Sequence, residues 1–362
     1  MLLDLDTTPE PALPTVRPGN AAGFETVWFK ADDGVALNLR HMPADAGASA
    51  RGPVLMSAGT SVRANIFSPP NADTLPQFLS RAGYDVWVLN WRASIDLPAR
   101  DYVLDDGAAL DFPAAVRTIR QRTGSDTLKA VVHCQGSSAF TLAAVAGLLP
   151  EVSVAVCNSV ALHPDVQIRA ALKGPTAMAL LPKVLDELNS QWGLHVQGFG
   201  PRVAVWLMRA GHHECNNAVC KMTSFIYGTG FPALWRHENL SDATHEWLKG
   251  EFAQLPIGFL VQTVKCVRAG RLLTTGRYPH LLPLDATGQA PRTDTRFVFM
   301  TGDLNETFLP TGMARSFDFF ERFAPGRHTF QKLHGYSHLD PFIGKHAATD
   351  VFGFVLDELN RG

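Results

Sequence analysis

Apolar and polar positions along this 362-residue chain fall into two regimes. From about residue 53 to 160, short apolar runs alternate with longer stretches of helical composition. Apolar runs at 53–60, 84–90 and 152–159 and the β-branched pair Val131-Val132 read as buried strands. Stretches at 75–82, stopped by Gly83, at 104–122, with Gly124 beyond, and at 140–149 read as helices. This alternation predicts a mostly parallel sheet covered on both faces. Upstream, strand-like runs at 24–30 and 35–41 meet at Asp32-Asp33-Gly34, a hairpin signal.

A second regime begins near residue 163. No strand pattern is visible to about 290, and helical runs are interrupted by Pro175, Pro182, Pro201, Pro232 and Pro256. Bulky apolar residues such as Trp192, Trp206, Phe225 and Trp235 are common there. This predicts an inserted helical cap whose apolar residues pack the cap and line an apolar pocket. Sheet character returns at 295–300, followed by a helix at 309–323, a last strand at 329–333 and a closing helix at 341–359. The expected organisation is a flexible lead-in at 1–22, an α/β core at 23–162 and 291–362, and a cap at 163–290.

Composition narrows the function classes. Apolar residues make up 46% and charged residues 18%, so a large core is expected. A net charge of −2 gives no electrostatic case for nucleic acid or an anionic membrane. No stretch has the length and purity of a membrane-spanning helix. The start, Met1-Leu2-Leu3-Asp4-Leu5-Asp6, lacks a signal peptide's basic and apolar regions. Five cysteines in a chain of this size suggest a reducing compartment. A cytoplasmic location is therefore expected, with no cofactor or metal.

The chemistry centres on Val131-Val132-His133-Cys134-Gln135-Gly136, where a buried strand stops abruptly before an Ala-rich helix. Strand, sharp turn, helix and one nucleophilic side chain at the turn form the pattern of a nucleophile elbow, usually written G-x-S-x-G. Cysteine takes the nucleophile's place and Val132 that of the first glycine. A helix N-terminus favours negative charge, so a partly ionised Cys134 thiolate is expected at neutral pH. The N–H of Gln135 is one oxyanion donor, and the N–H of Thr60, in Ala58-Gly59-Thr60, is the candidate for the second.

The base should lie late in the chain, and His338, in Gly335-Tyr336-Ser337-His338-Leu339-Asp340, fits that place. The third member should follow the penultimate strand. Counting from Gly302 points to Asn305, giving Cys134, His338 and Asn305, with Asp303 and Glu306 as alternatives. His212, His213, Cys215 and Cys220 cluster within the cap. Their spacing is not that of a zinc finger, so cap stabilisation or a redox-sensitive cysteine pair is the expectation. Cys157 and Cys266 lie in apolar runs and read as core.

These residues carry a resemblance to α/β-hydrolases. The segment Gly83-Tyr84-Asp85-Val86-Trp87-Val88-Leu89-Asn90-Trp91-Arg92 is similar to that of lysosomal-acid-lipase-like hydrolases. The His-Cys-x-Gly elbow, the cap segments Cys215 to Cys220, Phe225-Ile226-Tyr227-Gly228 and His237-Glu238-Asn239-Leu240, and the ending through Gly344-Lys345 resemble hydrolase domains fused behind bacterial cholesterol-oxidase-like flavoproteins. Polyhydroxyalkanoate synthases and dienelactone hydrolases are similar in carrying cysteine at the elbow. The resemblance spans about residue 24 to 360. It implies the α/β-hydrolase fold and acyl transfer through a covalent Cys134 thioester, by a thioesterase, esterase, acyltransferase or cyclase. The expected substrate is a hydrophobic acyl ester or thioester, in the latter case one that a carrier could present. A non-covalent lyase or cyclase, and a non-catalytic ligand-binding homologue, are the alternatives.

Overall fold

The computed structural model describes residues 23–71, 73–167, 185–228 and 230–361, so the expected lead-in lies outside them. β1 (Glu25–Lys30) and β2 (Ala36–Met42) form the hairpin expected around Gly34. β3 (Pro53–Ser57), β4 (Asp85–Asn90), β5 (Leu128–His133) and β6 (Val152–Asn158) follow. β7 (Glu187–Asn189) and β8 (Gln254–Pro256) pair with each other in a separate ribbon, and β9 (Arg296–Gly302) and β10 (Thr329–Leu333) rejoin the main sheet.

The main sheet runs β1-β2-β4-β3-β5-β6-β9-β10. β2 is antiparallel to both β1 and β4, and every later pair is parallel. The inner parallel strands, β4, β3, β5, β6 and β9, are buried on both faces, which is why they read as continuous apolar runs rather than alternating ones. β1, at the edge, keeps an in–out alternation.

The helix Cys134–Val145 is buried at every position. Its residues are small or apolar apart from Gln135, and a helix without a charged face belongs at the centre of a fold rather than on its surface. It is packed against the segment Leu104–Thr123, whose middle, Gly107–Asp111, winds as a π-helix. Gly107 lies on Trp91, where an added Cβ would come 2.6 Å from the indole ring. The same segment buries three carboxylates, each satisfied. Asp111 pairs with Arg92 at 2.6 Å, Asp106 with Arg277 at 2.6 Å, and Asp105 accepts from Gln262 at 2.6 Å and Thr275 at 2.7 Å. Gln262 sits on the helix Ile257–Ala269, so these bonds fasten the insertion between β6 and β9 to the core.

Two expectations need correction. The insertion was read as free of strands, but β7 and β8 form a short ribbon within it. The closing helix is three short helices, Asp340–Ile343, Ala347–Asp350 and Phe352–Asn360. Gly344 leaves helical geometry at ψ 146° and Val351 at φ −122°, and both breaks lie inside a continuous helical spacing of apolar residues. Among the described residues no helix is long and apolar enough to cross a membrane.

Candidate active site

The carboxyl ends of β3, β5, β6, β9 and β10 face one edge of the sheet, where open α/β sheets place their ligands. β5 is extended through His133, and the chain then turns sharply at Cys134, whose φ is +55°. A left-handed, non-glycine residue costs about 1–2 kcal/mol and persists only where its surroundings enforce it. Gly136 provides part of that enforcement, since a Cβ there would lie 2.0 Å from the carbonyl oxygen of Ala58. Gly59 makes room for the Cys134 side chain, because its Cβ would lie 3.0 Å from that of Cys134. Val132 needs no such close approach. It is fully buried, paired with Ser57 of β3 and Cys157 of β6, and the elbow forms without the first glycine.

The sulfur is enclosed. Cys134 packs with Ala161 and Phe308, with Val166 partly covering them. Burial pushes its thiol up to about 12, against the N–H of Gln135, which favours the thiolate. The expected partial ionisation at neutral pH is therefore absent in this closed arrangement, because loss of solvation outweighs the helix N-terminus.

His338 is brought to Cys134 as expected. The thiol and one ring nitrogen from each of His133 and His338 lie within 4.8 Å of one another. The rings of His133 and His338 are 4.7 Å apart, and Phe308 stands 6.0 Å from His338. Burial lowers His338 to about 3, so it is neutral at rest. Neither of its ring nitrogens has a hydrogen-bond partner among the described residues.

Asn305 is buried nearby but does not bond to His338. Its Oδ1 accepts from the backbone N–H groups of Thr307 (3.1 Å) and Phe308 (3.2 Å). Its Nδ2 donates to Ser159 (3.0 Å) and Thr301 (3.2 Å). The amide thus holds the loop that presents Phe308. Asp303 accepts from His334 and from the N–H of Gly335, both at 2.8 Å, tying the β9 and β10 loops together. Glu306 points its Oε2 toward Gly230. The structure brings none of the three candidates into hydrogen-bond contact with His338.

His133 was not singled out in the sequence, and nothing but its place beside Cys134 would have marked it. Nδ2 of Asn158 donates to Nδ1 of His133 (2.8 Å) and to the backbone carbonyl of His338 (3.0 Å). With Nδ1 accepting and burial keeping the ring neutral, the proton of His133 sits on Nε2. A ring nitrogen that carries a proton is a donor, so this trio suits proton chemistry better than metal binding.

The opposite wall is Gly59-Thr60-Ser61. Trp91 donates to the Gly59 carbonyl (3.2 Å), Tyr227 to that of Thr60 (3.1 Å), and the Ala253 N–H to that of Ser61 (3.2 Å). The Thr60 hydroxyl pairs with that of Tyr102, and Ser61 is left-handed at φ +62°. In a trans peptide N–H and C=O point apart, so Trp91 on the Gly59 carbonyl turns the Thr60 N–H away from that indole. Beside the elbow lies a cavity of only about 10 Å³, lined by Leu104, Gln135, Ala161, Gln262, Leu272 and Phe308 among others. That is about one water's space.

The cap histidines do not sit as their proximity in sequence suggested. His212 bonds to Glu214 at 3.0 Å and packs on Phe225 and Phe231, and His213 faces the Ala210 carbonyl. Cys215 and Cys220 are free thiols near His237 and His245 instead. Cys157 and Cys266 are buried as expected.

No protein-family model and no curated protein matches the chain. Solved structures do match over nearly its whole length. A structure of DcsB with its substrate analogue superposes with a TM-score of 0.57 at 15% identity, covering 93% of this chain and 99% of that one. The monoacylglycerol lipase of Paleococcus ferrophilus gives 0.55 at 12%, covering 90% and 99%. The α/β-hydrolase GrgF from Penicillium sp. sh18 gives 0.54 at 15%, covering 93% and 98%. At these identities the likeness concerns the fold, and the fold is that of α/β-hydrolases.

Proposed function

We propose that this chain is an acyl-transfer enzyme in which Cys134 forms a covalent thioester with a hydrophobic acyl group. The observation that carries the reading is the pairing of a strained elbow cysteine with a buried, unpartnered histidine within 4.8 Å. Strain and unmet hydrogen bonds each cost folding free energy, and both cluster where chemistry is done. The α/β-hydrolase fold and its esterase and lipase neighbours agree at a coarse level.

The steps follow from the resting charges. Thiol and imidazole are both neutral, so His338 acts as general base during attack rather than as half of a preformed ion pair. It takes the thiol proton as sulfur bonds to the carbonyl carbon. The negative charge that develops on the carbonyl oxygen meets the N–H groups of Gln135 and Thr60. Collapse expels the alcohol or thiol, which leaves with the proton from His338. The thioester then passes its acyl group to water, an alcohol, an amine or a carbon nucleophile. An enclosed, apolar surround that keeps water out favours transfer or cyclisation over hydrolysis. His133 stands where it can donate to the cluster, and Asn305 acts as a positioning residue through the Phe308 loop. Residues 163–290 serve as the cap, and acyl entry requires Phe308 and Val166 to move from the sulfur. A carrier-borne thioester is one form of substrate.

A second reading, a non-covalent lyase or a binding protein, is favoured by one observation: no side chain orients the His338 ring by a hydrogen bond. Intact-protein mass spectrometry after brief incubation with acyl thioesters and activated esters separates the two. We expect wild type to gain the mass of one acyl group and Cys134→Ala to gain none. Equal labelling of both proteins, or turnover retained in Cys134→Ala, would sink covalent catalysis.

A further inference from the structure

We propose that Cys215, Cys220, His237 and His245 together bind one zinc ion in the cap, apart from the elbow. Their donor atoms all lie within 4.8 Å of one another. Four donors around tetrahedral zinc, with bonds of about 2.0–2.3 Å, stand roughly 3.3–3.8 Å apart. Cys220 Sγ and His237 Nε2 are already 3.4 Å apart, and the rings of His237 and His245 are 4.7 Å apart at 70°. The Cys215 thiol is in contact with the backbone carbonyl of Asn217 at 3.7 Å, which sets it at the same cluster.

A second, independent observation points to a ligand. Nε2 of His245 is buried and has no hydrogen-bond partner among the described residues. A buried ring nitrogen left without a partner is costly, and a metal ion would satisfy it. The scaffold is also arranged for the task. Asn217 caps the helix Ala218–Tyr227 by accepting from the N–H groups of Val219 and Cys220, both at 3.1 Å. Its Nδ2 donates to the backbone carbonyl of His245 at 2.6 Å. One side chain thereby fixes Cys220 in the first helical turn and draws the fourth ligand's element against it.

The ligand spacing, Cys-x4-Cys with a later His-x7-His, matches no zinc finger, and only tertiary structure assembles it. Zinc binding would release the two thiol protons to solvent. The two thiolates then cancel the ion's charge, leaving a neutral, closed site suited to structure rather than catalysis. Its structural consequence is legible: the ion would pin the helix that ends at Tyr227, whose hydroxyl donates to the carbonyl of Thr60 beside the elbow.

The test is metal analysis of the full-length, tag-free protein purified without chelator. We expect about one zinc per chain in wild type and in His212→Ala and His213→Ala, and loss of the ion in Cys215→Ser with Cys220→Ser. Exchange for cobalt should give the visible bands of a tetrahedral ion with thiolate charge transfer. His245→Cys keeps a donor and should keep the metal, which separates ligand loss from failure to fold. If the double variant does not fold, the cobalt spectrum of wild type decides. Zinc no higher than in the buffer, or a chain lighter by two hydrogens through a Cys215–Cys220 disulfide, would overturn the assignment. Neither result depends on whether Cys134 is catalytic.

Discussion

Two effects compete at the sulfur of Cys134. The helix N-terminus and the Gln135 N–H stabilise a thiolate, and helix ends of this kind are worth up to about 2 kcal/mol. Burial moves the thiol from 9.0 to about 12, a preference of roughly 4 kcal/mol for the neutral form, so burial wins. Because only the thiolate is nucleophilic, raising the pKa moves reactivity to higher pH. Iodoacetamide should therefore label Cys134 of the resting protein far more slowly at pH 8 than a free thiol, with the rate still climbing above pH 10. Peptide mass spectrometry across a pH series reads this directly. A labelling midpoint near the ordinary thiol value would mean that the sulfur is solvated in solution and that the closed arrangement is a minor state.

At the scale of elements, the elbow depends on two close approaches rather than on the helix's own sequence. Gly136→Ala drives a Cβ into the Ala58 carbonyl at 2.0 Å, a backbone contact that no rotamer change can relieve. We expect it to cost several kcal/mol, about as much as the larger core substitutions, and to lower the midpoint of urea unfolding. Gly59→Ala is crowded by the Cys134 side chain, at 3.0 Å for Cβ and 3.2 Å for Sγ, while the nearest backbone atom, Gln135 N, is at an ordinary 3.8 Å. It should leave the fold largely intact while reducing acyl-adduct formation by at least about tenfold, since a displaced nucleophile is a costly one. A Gly59→Ala protein that acylates at the wild-type rate would show that Cys134 is not held where its reaction is done. The π-helical stretch Gly107–Asp111 belongs to the same scale. The sequence reads there as an ordinary helix, and the wider turn accompanies the burial of Asp111 against Arg92.

Across the whole molecule, the insertion is closed onto the sheet by specific polar bonds. Gln262 accepts from the N–H of Leu104 (2.8 Å) while donating to Asp105, and Asn239 donates to the Gly335 carbonyl (2.8 Å) and to Asp340 (2.6 Å). Tyr227 donates to the Thr60 carbonyl beside the elbow. Tyr227→Phe removes that donor and leaves the Thr60 carbonyl unpaired, a loss of about 1 kcal/mol. If this contact helps keep the site shut, Cys134 labelling should accelerate in the variant several-fold at fixed pH. An unchanged rate would place the opening motion elsewhere in the insertion.

The order of strands and helices, the elbow at Cys134 and the lateness of His338 were legible in the sequence. Each rests on local pattern: apolar runs, glycine stops and one nucleophile between strand and helix. Only tertiary structure decided which side chains meet. Asn305 lies three residues after Gly302, as counted, yet its amide is used by the N–H groups of Thr307 and Phe308. His133 became part of the site because Asn158 and His338 pack against it from other strands and loops. Cys215 and Cys220 found His237 and His245 rather than the adjacent His212 and His213. The physical reason is common to all three. Periodicity records which face of an element is apolar, whereas hydrogen-bond partners and the solvation of a thiol depend on what other parts of the chain bring to it.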